Sequence, residues 1–443
     1  MVHTISSYSI VKLSKLVERA MTKALIVGAG AQGGPCASIL ARDKDVSEIV
    51  LGDIDMELAK KVSEKIKSDK IAVSKLDAAN KDEAKRAAKG ADVIINLTLT
   101  AYNVNIMQAA LESGAHYVDT SFGEPIVLDI LSTDNILAQI MQNRPISFDN
   151  EFKNAGLSAL LGCGGTPGTA NVMARLICDK LDGVEEIRIR RGVRYLEKST
   201  EVVSPWTPTW SPFRALWGCA VEPVVFENGR YTQHPIFSSP EEYHFPDPVG
   251  PVLVTYHQHQ EQVTLPRIIG KGIRYCDFKY PVDALAGAFV KMGFANPNPV
   301  DVKGTKVVPR DVLLKLVRPP ANSFFAENET AAGQPLDRAE LLVVEVKGTQ
   351  SGKDVTYAVD TPSNFYRTSK ERLDVYKRFG TSIIGVALPA VVGAKMCVNG
   401  RVNTGVTFPE SFDPVTFLKM TTDMGAPVNL REVSSKELSF ARA

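Results

Sequence analysis

The stretch ALIVGAGAQGG, residues 24–34, joins a short apolar run to a cluster of glycines. The apolar run predicts a β-strand, and the following residues predict a turn into an α-helix. Gly28, Gly30 and Gly33 form the pattern G-x-G-x-x-G. In that pattern the first glycine allows a tight turn, the second lets a pyrophosphate approach the backbone, and the third lets helix and strand pack closely. The stretch predicts a dinucleotide-binding turn; the alternative is a glycine-rich turn that binds nothing.

An acidic residue at the end of the next apolar run supports the dinucleotide interpretation. Asp53 lies 20 residues beyond Gly33, where a carboxylate accepts hydrogen bonds from ribose hydroxyls and repels a 2′-phosphate. No Arg or Lys follows until Lys60, so NAD is favoured over NADP. The alternative is that Asp53 caps the next helix, although Asp55 is better placed to do so. We predict cofactor contacts from Gly28, Gly30, Ala31, Gln32, Gly33, Asp53, Ile54, Asp77, Leu97 and Thr98.

The pattern of the chain changes twice along its length. Up to about residue 165, short apolar runs alternate with amphipathic stretches, which predicts a parallel sheet with helices on both faces. Between about 170 and 365, strand-like runs such as EEIRIRRGVR, VLVTYHQHQ and AELLVVEVKG are separated by Pro-rich turns, which suggests a mixed or antiparallel sheet. From about 371, the stretches SIIGVALPAVVGAKM and PVTFLKMTT are again typical of helices.

Composition excludes several classes of protein. The 443 residues are 44% hydrophobic and 23% charged with a net charge of +1, so we expect no nucleic-acid partner. No apolar run is long enough to span a bilayer, so we expect no membrane partner. The six cysteines form no C-x-x-C pair, which favours reduced thiols in a cytoplasmic enzyme. Residues 1–20 predict a short helical extension, with Met21 as an alternative start.

Three further stretches carry a family resemblance. They are residues 90–122, GADVIINLTLTAYNVNIMQAALESGAHYVDTSF; residues 156–175, GLSALLGCGGTPGTANVMAR; and residues 405–425, GVTFPESFDPVTFLKMTTDMG. In this order they resemble the saccharopine dehydrogenase-like family of amino-acid dehydrogenases. Residues 256–272, YHQHQEQVTLPRIIGKG, look most like its L-lysine 6-dehydrogenase branch.

The resemblance implies a discontinuous Rossmann domain with an inserted α+β domain. On that basis residues 21–165 form the NAD-binding domain, 166–370 the substrate-binding and dimerisation domain, and 371–443 the return to the first domain. The resemblance also implies that Tyr102 and Asp119 are catalytic residues near the nicotinamide and the substrate. Tyr102 would hydrogen-bond the substrate amine, and Asp119 would hold a substrate cation or help to move protons. Their alternatives are a surface residue at a helix start for Tyr102 and a turn cap for Asp119.

The crossover between the domains departs from one branch of the family. The saccharopine reductase branch has a motif resembling Asp-Pro-Gly, whereas here Thr166 precedes Pro167 and Gly168. Asn171 also stands where that branch carries a different residue. Both departures favour the lysine dehydrogenase branch. Asn171 either binds substrate or caps the helix that follows it.

The substrate carboxylate of an amino acid needs a cation, and arginine binds it through two hydrogen bonds. The candidates are Arg191, Arg194 and Arg267, with surface positions as the alternative. Arg188 and Arg190 alternate as solvent-facing strand residues do. His257 and His259 would share one face of a strand, but no third ligand is apparent, so we predict no metal. His257 is instead a candidate proton carrier.

The combined prediction is a homodimeric NAD-dependent dehydrogenase. It acts on the C–N bond of an amino acid that is a small-molecule substrate. Lysine or a related amino acid would be oxidatively deaminated through an imine. One alternative is reductive condensation of an amino acid with an aldehyde using NAD(P)H, as saccharopine reductase does. The other is a non-catalytic protein that senses NAD(H), because fold does not determine function.

Overall fold

The structure of the chain is a computed structural model that describes residues 22–122, 148–196, 206, 208, 210–317, 320–335, 338–362 and 368–433. The predicted extension over residues 1–20 lies outside the described residues. No helix in the described ranges is long and apolar enough to cross a lipid bilayer.

The first sheet has seven parallel strands in the order β17-β6-β5-β4-β1-β2-β3. This sheet confirms the predicted α/β class. Its strands are β1 Lys23–Val27, β2 Glu48–Asp53, β3 Ile71–Lys75, β4 Val93–Asn96, β5 His116–Asp119, β6 Ser158–Leu160 and β17 Gly405–Thr407. The helices that connect or cover them are α1 Gly33–Ala41, α2 Met56–Ile66, α3 Lys81–Ala87, α4 Asn103–Ser113, α5 Phe148–Asn154 and α6 Thr169–Cys178.

The second sheet is mixed and has nine strands. Seven of its strands pair in the order β10-β11-β12-β7-β15-β16-β18. Strand β8 also pairs with β12, and β9 pairs with β8. Among the described residues of this sheet, β12 and β7 pair in parallel, and all other pairings are antiparallel. The strands are β7 Gly183–Tyr195, β8 Val224–Glu227, β9 Arg230–Gln233, β10 Glu241–His244, β11 Pro251–Tyr256, β12 Tyr275–Pro281, β15 Arg338–Gln350, β16 Lys353–Pro362 and β18 Asn429–Glu432. A separate hairpin consists of β13 Val300–Val302 and β14 Thr305–Val307.

The remaining helices follow the crossover from the first sheet. They are α7 Pro212–Ala220, α8 Glu261–Ile269, α9 Ala284–Lys291, α10 Pro309–Leu316, α11 Asn322–Ala326, α12 Glu329–Gly333, α13 Ser369–Phe379, α14 Ala387–Val398 and α15 Pro414–Asp423. Short 3₁₀ helices lie at Thr100–Tyr102 and Pro409–Ser411.

Strand β1 shows why the first sheet is covered on both faces. Ala24 and Ile26 pack into one hydrophobic cluster, while Leu25 and Val27 pack into another on the opposite face. Successive side chains of a strand point to opposite faces, so an unbroken apolar run requires cover on both sides. The first cluster continues into the second sheet through residues such as Val344, so the two sheets share a core.

The chain returns to the first sheet and then leaves it again. Strand β17 pairs in parallel with β6, and α14 packs against α1, β4 and β5. Strand β18 instead pairs with β16 of the second sheet. The prediction that residues 371–443 belong wholly to the first domain is therefore corrected for Asn429–Glu432.

Two local expectations are also corrected. The predicted strand VLVTYHQHQ ends at Tyr256, so His257 and His259 lie in the loop before α8 and not on a strand. Arg190 does not face solvent. Its side chain is 1% exposed and forms ion pairs with two acidic residues of the same sheet, Asp277 of β12 at 2.6 Å and Glu241 of β10 at 3.0 Å.

Candidate active site

A cavity of about 550 Å³ lies beyond the carboxyl ends of the first sheet. One wall comes from the glycine-rich loop and the loops after β2, β3, β4 and β5. The opposite wall comes from α7, the loop before α8 and strands β7 and β12 of the second sheet. Ligands of parallel α/β sheets bind at this edge.

The glycine-rich loop has the geometry of a dinucleotide cradle. Gly28 has a φ of +101°, a conformation that favours glycine. A Cβ on Gly33 would lie 2.0 Å from the carbonyl oxygen of Gly28, so only glycine fits there. A Cβ on Gly30 would meet nothing within 4 Å, which leaves its backbone open to a ligand. The Oε1 of Gln32 is buried with no hydrogen-bond partner among the described residues. These observations fit a dinucleotide at the N-terminus of α1.

Asp53 and its neighbours line the same end of the cavity. The Asp53 carboxylate accepts hydrogen bonds from the backbone N–H of Ala29 at 2.6 Å and of Asp55 at 2.8 Å. Asp55, not Asp53, caps α2, accepting hydrogen bonds from the N–H groups of Glu57 and Leu58. Asp53 is thus left at the cavity wall. The predicted cofactor residues that line the cavity are Gly28, Gly30, Ala31, Gln32, Asp53, Ile54, Asp77, Leu97 and Thr98. Gly33 is buried behind them.

Asp119 lies behind the wall of the cavity. Its carboxylate is 1% exposed and accepts hydrogen bonds from Asn103 Nδ2 at 2.9 Å, Tyr117 Oη at 3.0 Å and the Gly162 N–H at 2.7 Å. These bonds join β5 to α4 and to the loop after β6. The carboxylate ties these elements together and does not line the cavity, so the structure does not place it where the predicted contact with substrate requires. Tyr102 does line it.

Asn171 caps α6 and does not line the cavity. Its Oδ1 accepts a hydrogen bond from the Gly168 N–H at 2.9 Å. Its Nδ2 donates to Thr264 Oγ1 at 3.3 Å and to Glu410 Oε2 at 3.0 Å. The predicted contact with substrate is corrected in favour of the capping alternative, because every polar atom of this 1% exposed side chain has a protein partner.

The three candidate arginines occupy different surroundings. Arg191 lines the cavity and forms an ion pair with Glu340 at 2.8 Å. Arg194 donates to the Val249 carbonyl at 3.2 Å, away from the cavity. The Arg267 guanidinium lies 5.5 Å from the centre of the Tyr231 ring, also outside the cavity lining. The predictions for Arg194 and Arg267 are therefore corrected, because packing directs both side chains elsewhere.

His257 lines the cavity beside α7. Burial lowers the pKa of His257 to about 3, and the nearby charges of His259, Arg191 and Arg214 act in the same direction. The imidazole is therefore neutral and weakly basic near pH 7. Within the described residues no group of three His, Cys, Asp or Glu side chains is arranged to hold a metal ion.

Several cavity residues were missed by the sequence analysis. Arg214 and the aromatic residues Trp210, Trp217 and Tyr280 line the wall that belongs to the second sheet and α7. Arg214 stacks on Trp217 at 4.4 Å, and Arg191 lies 5.5 Å from the Trp210 ring centre. The WTPTWSPFRALW stretch contains this cluster of Trp and Arg, which was the available signal.

The loop before α8 connects the two walls. Gln260 Nε2 donates to Ser121 Oγ at 3.1 Å and to the Phe122 carbonyl. His259 lines the cavity, and its Nδ1 bonds to the buried Glu261 carboxylate. The repeated polar residues of YHQHQEQ were the signal for this loop, although from the sequence His259 was a candidate metal ligand only.

Comparison with known families covers almost the whole chain. The model of the saccharopine dehydrogenase NADP binding domain matches residues 24–160. The model of the saccharopine dehydrogenase C-terminal domain matches residues 164–425. The boundary between the two matches falls in the loop after β6, at the crossover to the second sheet.

Curated relatives match over nearly their full length. Carboxyaminopropylagmatine dehydrogenase from Synechocystis sp. is 24% identical over 422 residues, which is 92% of this chain and 97% of the relative. Carboxynorspermidine synthase from Vibrio alginolyticus is 23% identical over 439 residues, with the same two coverages.

Two solved structures share the fold. Apo saccharopine dehydrogenase (L-Glu forming) from Saccharomyces cerevisiae superposes with a TM-score of 0.63 at 13% identity, covering 93% of this chain and all of that one. Homospermidine synthase from Legionella pneumophila, in complex with NAD, gives a TM-score of 0.61 at 11% identity and covers 95% of each chain. At these identities the similarity establishes the architecture alone.

Proposed function

This chain belongs to the saccharopine dehydrogenase family, and we propose that it is a nicotinamide-dependent oxidoreductase. The bond that it forms or breaks is the C–N bond of a carboxylated secondary amine. One observation carries the proposal. A single cavity joins the glycine-rich loop at one end to a wall of arginine, histidine and aromatic residues at the other. Cofactor and substrate would meet inside it.

The cofactor end supports NAD over NADP. The glycine-rich loop would hold the pyrophosphate, and Asp53 would accept hydrogen bonds from the adenosine ribose. A 2′-phosphate at that ribose would be repelled by the Asp53 carboxylate. Ile54 is 63% exposed at the cavity wall and offers an apolar surface for an adenine ring. When bound, the nicotinamide takes a hydride from the carbon beside the substrate nitrogen or returns it.

The opposite wall supports a substrate with both a carboxylate and a cationic amine. Arg191 and Arg214 present positive charge to the cavity, which suits a carboxylate. The faces of Trp210, Trp217 and Tyr280 suit an alkylammonium chain through cation–π contacts. The names of the two curated relatives each describe a polyamine or agmatine chain that bears a carboxyl group. We carry that substrate class over to this chain.

The reaction balances without a further reactant. In the forward direction a primary amine and an aldehyde lose water to form an imine, which takes up one hydride and one proton to give the secondary amine. In reverse the secondary amine loses a hydride and a proton, and water cleaves the imine. The chain contributes by orienting the two partners, shielding the cleft from bulk water and exchanging the proton.

The test is a panel of substrates assayed in both directions. Turnover is monitored through the absorbance of the reduced nicotinamide. One arm combines agmatine or a diamine with an ω-aldehyde amino acid and NADH or NADPH. The other combines L-lysine or saccharopine with NAD or NADP. We expect turnover in the first arm with NADH preferred. Turnover of lysine alone would instead support the lysine 6-dehydrogenase prediction. Binding of NADH with no turnover in either arm would support the non-catalytic alternative and contradict the proposal.

A further inference from the structure

The proposed chemistry needs a group that exchanges a proton with the substrate nitrogen. We propose that His259 is this catalytic residue, and that Glu261, buried behind it, is a positioning residue. The assignment rests on the proposed function, because it names the proton acceptor of that same reaction. His259 takes the place of Asp119 and His257, the two residues that the sequence predicted for this proton exchange.

The local geometry gives His259 an oriented ring. Its Nδ1 bonds to Oε2 of Glu261, a side chain that is 0% exposed and also accepts a hydrogen bond from the Gln260 N–H at 3.2 Å. The ring stacks on Phe278 at 4.2 Å with an angle of 11° between the planes. A carboxylate at Nδ1 fixes the tautomer with hydrogen on Nδ1, which leaves Nε2 as the basic atom.

The second ring nitrogen of His259, Nε2, belongs to a residue of the cavity wall. Within the described residues Nε2 takes no hydrogen bond, and His259 lines the cavity that also contains Tyr102 and Arg191. The arrangement therefore has the three parts that a general base requires. A carboxylate orients the ring, an aromatic face holds it, and the second nitrogen of this cavity-lining residue is left without a hydrogen bond among the described residues.

His257 lacks this support. Its ring centre lies 6.4 Å from that of His259, but no carboxylate pairs with it in the part of the chain that the structure describes. Burial also lowers the pKa of His257 to about 3, so it is a poor proton acceptor. Of the two histidines on this loop, only His259 has a buried anion to balance the charge of an imidazolium.

The proton step balances in both directions. In oxidation, Nε2 takes one N–H proton from the substrate ammonium, which leaves a lone pair on nitrogen and a positive imidazolium beside Glu261. In condensation, the imidazolium returns a proton to the hydroxyl of the amine–aldehyde adduct, which leaves as water. No oxidant or reductant beyond the nicotinamide is needed.

Other titratable groups surround this pair and set the background of any pH profile. Glu410, on the 3₁₀ helix that packs against α8, lies next to Glu261 and interacts with it electrostatically. The ionisable residues that share the cavity wall with His259 are His257, Arg191, Arg214, Tyr280 and Tyr102. The charges of His259 and Glu261 act on His257 and Glu410, so each variant also changes one of these neighbours, and the rate and rescue measurements are read together with the profile.

The first test removes the ring. We expect His259→Ala to lower kcat/KM for the secondary amine by about 10²-fold or more and to leave the NADH dissociation constant unchanged. Added imidazole should restore part of the lost rate, because it can occupy the space of the deleted ring. The matched control is His234→Ala. His234 also pairs with a glutamate, Glu227, at 3.2 Å, but outside the cavity lining, so its loss should change turnover by less than about twofold.

The second test uses the pH profile of amine oxidation. If His259 exchanges the substrate proton, the acidic limb of the wild-type profile should disappear in His259→Ala. Glu261→Gln removes the anion that orients the ring, so it should lower kcat and displace the limb while leaving the NADH dissociation constant unchanged. A residue that only supported the fold would lower the rate at every pH and leave the limb in place.

The outcomes separate this assignment from the proposed function. If wild-type protein turns over no carboxylated amine in the panel, the proposed function fails and this assignment fails with it. If wild type is active and His259→Ala keeps more than about a third of kcat/KM, or keeps the acidic limb, only the assignment of His259 is overturned. Loss of the rate and the limb, with rescue by imidazole, supports it.

Discussion

We propose that the Asp53 carboxylate distinguishes NAD from NADP. We expect Asp53→Ser to weaken NAD binding and improve the relative use of NADP by about 1–3 kcal/mol, or roughly 5–150-fold, because the charge-assisted bonds and the repulsion of the phosphate are both lost. The measurement is kcat/KM with each cofactor.

Asp55 provides the matched control for that experiment. Asp55→Ser keeps a capping residue at the start of α2 and leaves the cavity wall intact. Its cofactor ratio should stay close to wild type. An unchanged ratio in Asp53→Ser, or an equal shift in Asp55→Ser, would remove Asp53 from the ribose site.

Glu410 makes stability depend on pH. Burial raises the pKa of Glu410 from its ordinary 4.5 to about 7, and the charge of Glu261 acts in the same direction. Between those values the folded protein holds a proton that the unfolded chain releases, so this group loses stabilisation as pH rises. In Glu410→Gln the side chain at this position is uncharged at every pH. From about pH 5 to about pH 8, we expect the free energy of unfolding of the variant to rise by about 2 kcal/mol relative to wild type.

That comparison is made by denaturant unfolding of both proteins at the two pH values. The other ionisable groups are common to both, so their contributions cancel in the difference. A difference in unfolding free energy that does not change with pH would mean that Glu410 is ionised in the folded protein throughout this range.

We propose that cofactor binding depends on the turn between β1 and α1. Gly33→Ala would place a Cβ 2.0 Å from the Gly28 carbonyl oxygen, so helix and strand must move apart. We expect a loss of stability of about 1–3 kcal/mol and a lower Tm. Gly30→Ala is the control, since its Cβ meets nothing within 4 Å.

The two glycine variants should therefore separate folding from binding. Gly30→Ala should keep the wild-type Tm but bind NADH more weakly, because its methyl group enters the cavity. Thermal melts and NADH titrations of both variants measure this. Equal melting temperatures for the two variants would show that α1 does not need to approach β1 so closely.

Local elements were predictable from the sequence, and contacts between distant elements were not. The strand, the glycine turn and the Asp53 carboxylate follow from a pattern of about thirty residues, because each depends on its immediate neighbours. Arg190 was misassigned because alternation along β7 does not reveal its acidic partners, Asp277 and Glu241, which lie on other strands of the sheet. His259 was undervalued because the burial of Glu261 depends on packing against distant residues, including the Pro409–Ser411 turn.

The same limit explains the errors at Asp119 and Asn171. Asp119 is the last residue of β5, and Asn171 lies in the first turn of α6, both at the edge of the sheet that was expected. Their side chains point inward to partners such as Asn103 and Glu410, which are distant in sequence or lie on another element. Position along a strand predicts which edge a residue occupies, but the partners of a buried side chain decide whether it reaches a ligand.

At the scale of the whole molecule, residues 368–433 complete the fold. All residues of α14 except Lys395 are buried, and β17 adds the edge strand next to β6. We expect a protein truncated after Pro362 to fail to fold, because both the α14 layer and the β17 edge would be missing. A protein truncated after Val428 loses only β18 among the described elements and should fold with a lower Tm.

Circular dichroism and NADH binding distinguish the two truncated proteins. The longer one should retain cooperative unfolding and bind NADH. A folded, NADH-binding protein that ends at Pro362 would contradict the shared core, since it would show that the first sheet is stable without its returning helix and strand.

The most direct test of the central claim is the mass of the product made with a deuterated cofactor. The protein is incubated with agmatine or a diamine, an ω-aldehyde amino acid, and NADH carrying deuterium at its transferable position. We expect a secondary amine whose mass equals that of amine plus aldehyde minus water, plus one hydrogen and one deuterium, with the deuterium on the carbon beside the new nitrogen bond. Recovery of both reactants with no adduct, or an adduct without deuterium, would contradict the claim that this protein joins amine and aldehyde by nicotinamide-dependent reduction.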